Sequence, residues 1–182
     1  MYYGGAESWN LRDTHMFETP QQVLEAKGPG AKAVVWAHNS HIGDARQTDM
    51  GHRRGELNIG QLCREAWGDG AALVGFGTHA GSVAAASDWD GDMEVKQVRE
   101  SRAGSVERLC HDTGLPRFLV DLRKGAGPDL LRARLAAARL ERFIGVIYLP
   151  ETELQSHYAH VALSRQFDGY AWFDTSRAVT PL

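Results

Sequence analysis

Lys32-Ala33-Val34-Val35-Trp36-Ala37-His38-Asn39-Ser40-His41-Ile42-Gly43-Asp44 decides how this chain is read. Ala33–Ala37 is apolar and rich in β-branched residues, with no charge inside it. Such a run predicts a strand buried on both faces of a parallel sheet. It stops at a polar cluster of two histidines, an asparagine and a serine. In open α/β sheets ligands bind beyond the carboxyl ends of strands, so the cluster marks a candidate site. Two imidazoles and an amide there can move protons and orient a substrate.

Working outward, the chain alternates apolar runs with helical patterns. On the amino-terminal side, residues 1–8 form a glycine-containing lead-in. Residues 10–27 read as helical, with Leu11, Met16, Val23 and Leu24 as the packed face. Thr19-Pro20 fits a new helix start, so this stretch predicts a kinked helix or two short ones. Beyond the cluster, residues 46–56 lack periodicity and read as a basic surface loop. Asn58 is a helix cap for a helix reaching Trp67. Residues 71–76 read as a second buried strand ending at Thr78 and His79. Residues 81–86 suggest a short strand, 88–92 a turn and 93–98 an edge strand. Ser105 starts a helix; 117–122 is a third strand, 128–140 a helix packed through Leu130, Leu131 and Leu135, and 143–149 a fourth strand. Residues 151–164 fit either a helix or an irregular segment, and 169–173 is a last strand before the tail. The pattern predicts a single domain, residues 1–182, of α/β class with a mostly parallel sheet.

The bulk properties narrow the function. A chain of 182 residues, 43% apolar and 24% charged, can bury a substantial core. A net charge of −3 gives no basis for nucleic acid or an anionic membrane as partner. No apolar run approaches the roughly 18 residues of a membrane span. The amino terminus has no signal-peptide pattern, so the expected location is cytoplasmic. Cys63 and Cys110 sit in apolar-periodic segments and are expected as buried free thiols.

The candidate site residues have competing roles. His38 and His41 can exchange protons with water or with a developing oxyanion; alternatively they bond their own loop. His-x-x-His followed by Asp44 also fits a zinc site, although it lacks the HExxH pattern; the expectation is no metal and no cofactor. Asn39 can bind a substrate oxygen or close a turn. Arg12 and Asp13 can face a cleft or form a surface ion pair. Thr78 and His79 can line the same crevice as His38, with His79 open to solvent in the alternative.

Several ungapped motifs in order carry a resemblance. They are Trp9-Asn10-Leu11-Arg12-Asp13-Thr14-His15-Met16, Trp36 to Ala45, Asn58-Ile59-Gly60-Gln61, Gly75-Phe76-Gly77-Thr78, Pro150 to Glu153 with Ser156-His157-Tyr158, and Gln166-Phe167-Asp168 through the tail. Together they resemble the erythromycin esterase family. The resemblance implies a three-layer α/β/α fold and hydrolysis of a small-molecule ester, macrolide lactone opening being the best-known activity. It implies water activated by histidine without a covalent intermediate. It makes His38 and His41 substrate-polarising or supporting groups, with Arg12, Asp13, Asn39 and Thr78 as substrate-binding positions; His79, just past the matching motif, is a substrate-binding candidate by its place at the strand end alone. The family's principal base lies in a Gly-Glu-x-x-His motif. This sequence has no such motif; its one Gly-Glu, Gly55-Glu56, runs on into Leu57-Asn58-Ile59. The resemblance therefore reads as the carboxy-terminal half of such an enzyme, an incomplete fold whose partner is a missing amino-terminal half or another copy. A self-sufficient metal-assisted hydrolase and a non-catalytic binding subunit are the alternatives.

Overall fold

The computed structural model describes residues 5–180; the first four residues of the lead-in and the last two of the tail lie outside them. Its helices are α1 (Ala6–Lys27), α2 (Asn39–Ile42), α3 (Asp49–Arg54), α4 (Ile59–Trp67), α5 (Val106–His111), α6 (Asp129–Leu135), α7 (Glu153–His157) and α8 (Leu163–Gln166). Its strands are β1 (Val74–Ala85), β2 (Glu94–Val98), β3 (Arg117–Asp121), β4 (Arg139–Arg142), β5 (Tyr158–Val161) and β6 (Gly169–Ser176).

The main sheet runs β2-β1-β6-β3, and β4 and β5 make a separate pair. Only β1 and β6 are parallel; β1–β2 and β3–β6 are antiparallel. The expected mostly parallel sheet is thus corrected to a mixed one. A parallel return needs a crossover of about a dozen residues or more, and the link from Ala85 to Glu94 is a bend, so β2 folds straight back. Tyr170 and Trp172 of β6 are fully buried and anchor the core, where Phe167, Val106, Leu122 and Leu163 join them. A smaller cluster of Phe17, Ile59 and Cys63 ties α1 to α4. Both cysteines are free and buried.

Other expectations need correction. Ala33–Ala37 forms no strand, and neither does the run from Phe143 to Leu149 beyond one bridge at Ile147. Apolar composition predicts burial, but a strand also needs a neighbour for its N–H and C=O groups, and none flanks Ala33–Ala37 among the described residues. Helix α1 is continuous through Pro20. Thr19 donates its hydroxyl to the His15 carbonyl and caps nothing. Pro20 supplies no N–H to the Met16 carbonyl, and the residue Met16 is exposed, where water can take up that bond. The packed face of α1 is Asp13 and Phe17; Leu11, Met16 and Val23 are exposed. Residues 46–56 hold α3, capped by Thr48 and closed by Gly55 in the left-handed conformation. In α6 only Leu135 is buried, while Leu130 and Leu131 face outward. The caps at Asn58 and Ser105 form as expected, accepting from Gln61 N and Arg108 N. No helix among the described residues is long and apolar enough to cross a membrane.

Gly60 sets how closely α4 approaches α2. A Cβ there would collide with the carbonyl oxygens of Ile42 and Gly43, both backbone. Alanine raises helix propensity by about 1 kcal/mol over glycine. Overpacking against backbone costs about 1–3 kcal/mol and moves α2 with it. Gly60→Ala is therefore expected to lower stability in a urea melt despite its better propensity.

Candidate active site

One face of α1 presents Trp9, Arg12 and Asp13, three and four residues apart, toward α2. Asp13 is fully buried. His41 Nδ1–H donates to its carboxylate at 2.8 and 3.0 Å from the two oxygens. The His41 ring stacks on Trp9 at 4.7 Å and 8°, and the Arg12 guanidinium lies over the Trp9 ring, 4.7 Å from its centroid. Arg12 Nε stands 3.8 Å from Asp13. The helix itself is pinned: Trp9 Nε1 donates to Leu57 O at 2.7 Å, while the Asn10 amide receives Leu57 N at 2.9 Å and donates to Gly55 O at 3.0 Å.

A carboxylate can only accept, so it sets the His41 proton on Nδ1 and leaves Nε2 as the working atom. Among the described residues Nε2 has no hydrogen-bond partner, and the side chain is 18% exposed. A buried carboxylate behind an imidazole also stabilises the imidazolium.

His38 is built differently. It caps α2, its Nδ1 accepting from Ser40 N at 3.3 Å and from the Ser40 hydroxyl at 2.9 Å. Burial, and then the neighbouring His41, lower its pKa to about 4, against a smaller opposing contribution from the Ile144 backbone. His38 is thus a neutral imidazole with one nitrogen spent on its own loop. The unfolded chain, with an ordinary value near 6.5, binds the proton first as pH falls. This part of the stability is complete above about pH 6.5 and is lost toward pH 4. At pH 4.5 the loss from His38 alone is about 2–3 kcal/mol. Buried Glu107 and Glu141, whose pKa values are raised, work in the opposite sense, so the comparison must be made against His38→Asn. That variant is expected to show an acid loss between pH 7 and 4.5 smaller by this amount in chemical denaturation.

Asn39 is buried and fully engaged. Its carbonyl accepts from Phe76 N at 3.1 Å, and its amide donates to Phe76 O at 2.7 Å and Glu141 Oε1 at 3.1 Å. It clips the histidine loop to the outer edge of β1 in the way a strand residue would. Thr78 lines the same groove as His38 and Asn39. His79, next along β1, points to the opposite face. It is buried, accepts from Ser101 Oγ at 2.7 Å, and stacks on His111 at 3.6 Å; His111 in turn bonds Asp174. His79 therefore neither faces solvent nor joins His38.

His38, His41 and Asp44 do not converge. Asp44 is held bidentately by Arg46, and among the described residues no three His, Cys, Asp or Glu side chains stand together to hold a metal.

Behind the loop lies a buried polar layer in which Glu153 fits the structural polar network that its motif suggests, while Arg142, Glu107 and Glu141 are not singled out by the sequence. Arg142 bonds Glu153 and the carbonyls of Thr78, His79 and Arg99. Burial pushes the carboxyls of Glu107 and Glu141 up. The charged run Arg139-Leu140-Glu141-Arg142 directly before the apolar Phe143–Leu149 was the available signal. In front lies an open groove of about 1290 Å³ whose lining includes His38, Asn39, Thr78, Trp36, Phe76 and Ile144.

A crystal structure of a Bacillus cereus protein superposes with TM-score 0.78 at 18% identity, covering 95% of this chain and 40% of its own. A succinoglycan biosynthesis protein gives 0.76 at 20%, with 96% and 40% covered. An erythromycin esterase variant in its open conformation gives 0.59 at 16%, with 90% and 36% covered. At such identities these likenesses speak to fold. The chain spans about two fifths of the length of these solved relatives. The erythromycin esterase family profile matches residues 1–176, and the chain belongs to that family.

Proposed function

We propose that this chain contributes the Asp13–His41 dyad to a hydrolase of small-molecule esters or macrolide lactones. The observation that carries the reading is a fully buried carboxylate on Nδ1 of a histidine whose Nε2 is left open. Protonated at Nε2, His41 donates to the carbonyl oxygen as a water molecule attacks, and Asp13 stabilises the imidazolium. The same proton then serves the departing alkoxide. Arg12, fixed over Trp9, binds a substrate oxygen beside it. His38 and Asn39 hold the loop in register, and Thr78 lines the groove that takes the apolar body of the substrate. By resemblance, the base that activates water is a histidine of a motif absent from this sequence. The chain alone is therefore expected to turn over no ester above background. Hydrolysis of p-nitrophenyl acetate and of erythromycin is to be measured for the chain with and without the remainder of the fold. Activity of the complete assembly that survives His41→Gln unchanged would remove the dyad from the mechanism.

A further inference from the structure

The polar layer behind the histidine loop holds more acceptors than donors. Glu107 and Glu141 are fully buried. Glu107 Oε1 accepts from Arg142 N at 2.8 Å, and Glu141 Oε1 accepts from the Asn39 amide at 3.1 Å. The second oxygen of each carboxyl has no donor among the described residues, and neither has Oε1 of Gln166, whose side chain stands beside Glu141. The terminal nitrogens of Arg142 direct their N–H groups to Glu153 and to the carbonyls of Thr78, His79 and Arg99. Asn39 cannot turn to help, because its bonds to Phe76 N and O fix which end of the amide is the oxygen. Ala159, opposite Glu141 on β5, brings no charge. Tyr170 and Cys110, the other titratable groups near the two carboxyls, stay neutral because burial pushes both up.

We propose that Glu141 is a carboxylic acid at neutral pH, with its proton on Oε2, and that this proton latches the loop of His38 and His41 to β1. Glu141 is then a positioning residue of the candidate site, acting through Asn39. A carboxylate can only accept, whereas a protonated one also donates. One proton therefore turns an orphaned acceptor into the donor that its neighbours lack. It also eases the charge of the layer, where Glu107, Glu141 and Glu153 are buried with the single guanidinium of Arg142. Glu107 is the member that ionises, because the Arg142 N–H, the Ser105 side chain and the Arg142 charge all favour its anion. Glu141 has amide donors alone, and burial and then Glu107 push it well above the usual carboxyl range. Loss of the proton puts a second negative charge beside Glu107. The carboxylate that leaves the layer for water drops the Asn39 amide and frees the loop from Phe76. Neither the proton nor the latch depends on the chemistry proposed above, since both are read without substrate.

The test compares the whole chain with Glu141→Gln, whose amide has the shape, the neutrality and the donor of the acid. In the unfolded chain Glu141 has its ordinary value of 4.5 and is ionised above it, while the folded chain keeps the proton. This part of the stability is complete below the ordinary value and falls as pH rises toward the raised one. Between about pH 5.5 and 7 the unfolding equilibrium constant in urea should therefore grow about tenfold per pH unit more in the parent than in Glu141→Gln. The Phe76 amide, which donates to Asn39, reports the latch itself. Its hydrogen-exchange protection factor should fall with pH in the parent and stay level in the variant. The infrared spectrum of the parent at neutral pH should contain the C=O stretch of a protonated carboxyl, and Glu141→Gln should lose it. A parent without that band, a band that survives in Glu141→Gln, equal slopes in the two proteins, or a Phe76 protection factor that is level with pH in the parent would each overturn the proposal.

Discussion

Arg142→Met is expected to lower the unfolding free energy by about 3–5 kcal/mol, the range for breaking a buried ion pair from one side. For a chain of this size that is a fall in thermal midpoint on the order of 10 °C. Arg142 is 2% exposed at its side chain and Glu153 5%. The guanidinium donates to Glu153 at 3.0 Å and to the carbonyls of Arg99 and Thr78 at 2.7 Å and His79 at 2.9 Å. Methionine fills the volume and supplies none of these donors. One carboxylate and three carbonyls then lose their partner in the interior, and Tyr148, which donates to the same Glu153 oxygen at 2.8 Å, cannot replace it. Lysine keeps the charge but not the planar fork, so Arg142→Lys should recover less than half of the loss. The exposed pair Arg123–Asp121 is the contrast. Such pairs contribute about 0–1 kcal/mol, and Arg123→Ala should barely move the midpoint. Equal effects at the two arginines would mean that burial is not what makes Arg142 matter.

The consequence reaches the candidate site through β1. Arg142 holds the Thr78 and His79 carbonyls, Glu141 beside it holds Asn39, and Asn39 holds Phe76 and the loop of His38 and His41. Two elements distant in sequence, β1 and α2, are thus fixed by one dipeptide of β4. This explains what could be read in advance. His38, His41 and Asp13 carry their chemistry in side-chain type and motif, so they were visible as candidates. That Asp13 faces His41 was not, because 28 residues separate them and only the packing of α1 on α4 closes the distance. Ala33–Ala37 is apolar and β-branched, a composition that predicts a buried strand, yet it forms no strand and Val34 and Trp36 stand exposed. Its pairing failed to appear because pairing is a property of the neighbour as much as of the segment. His79 was placed on the wrong face of β1 because its orientation depends on strand phase, and the glycines at 75, 77 and 81 blur that phase in the sequence. The β4–β5 pair was hidden for a similar reason. Arg139–Arg142 is charged at three of its four positions, and its burial is purchased by partners rather than by its own side chains.

Asp13→Asn is expected to reduce kcat of the complete assembly by about 10²–10³, within the range for a positioned proton donor. KM should change little, because the variant alters a group felt when charge develops rather than when substrate binds. The amide keeps the shape but cannot stabilise an imidazolium. It can also donate to Nδ1, which moves the His41 proton to the other nitrogen without the positive charge. His41→Gln should cost a similar factor in rate by removing the transferable proton. It should also cost stability, because Asp13 is then a fully buried carboxylate whose remaining cation, Arg12, stands 3.8 Å away. Breaking such a pair from one side costs about 3–5 kcal/mol at full burial, and the half-buried Arg12 makes the lower end the expectation. The double variant separates the two roles. If Asp13 acts through His41, the rate loss of Asp13→Asn/His41→Gln should match that of His41→Gln alone, and the stability lost in His41→Gln should be largely restored because no unpaired charge remains. Rate losses that multiply would instead place Asp13 in contact with substrate on its own account. The dyad would then be two neighbouring groups rather than one proton-transfer unit.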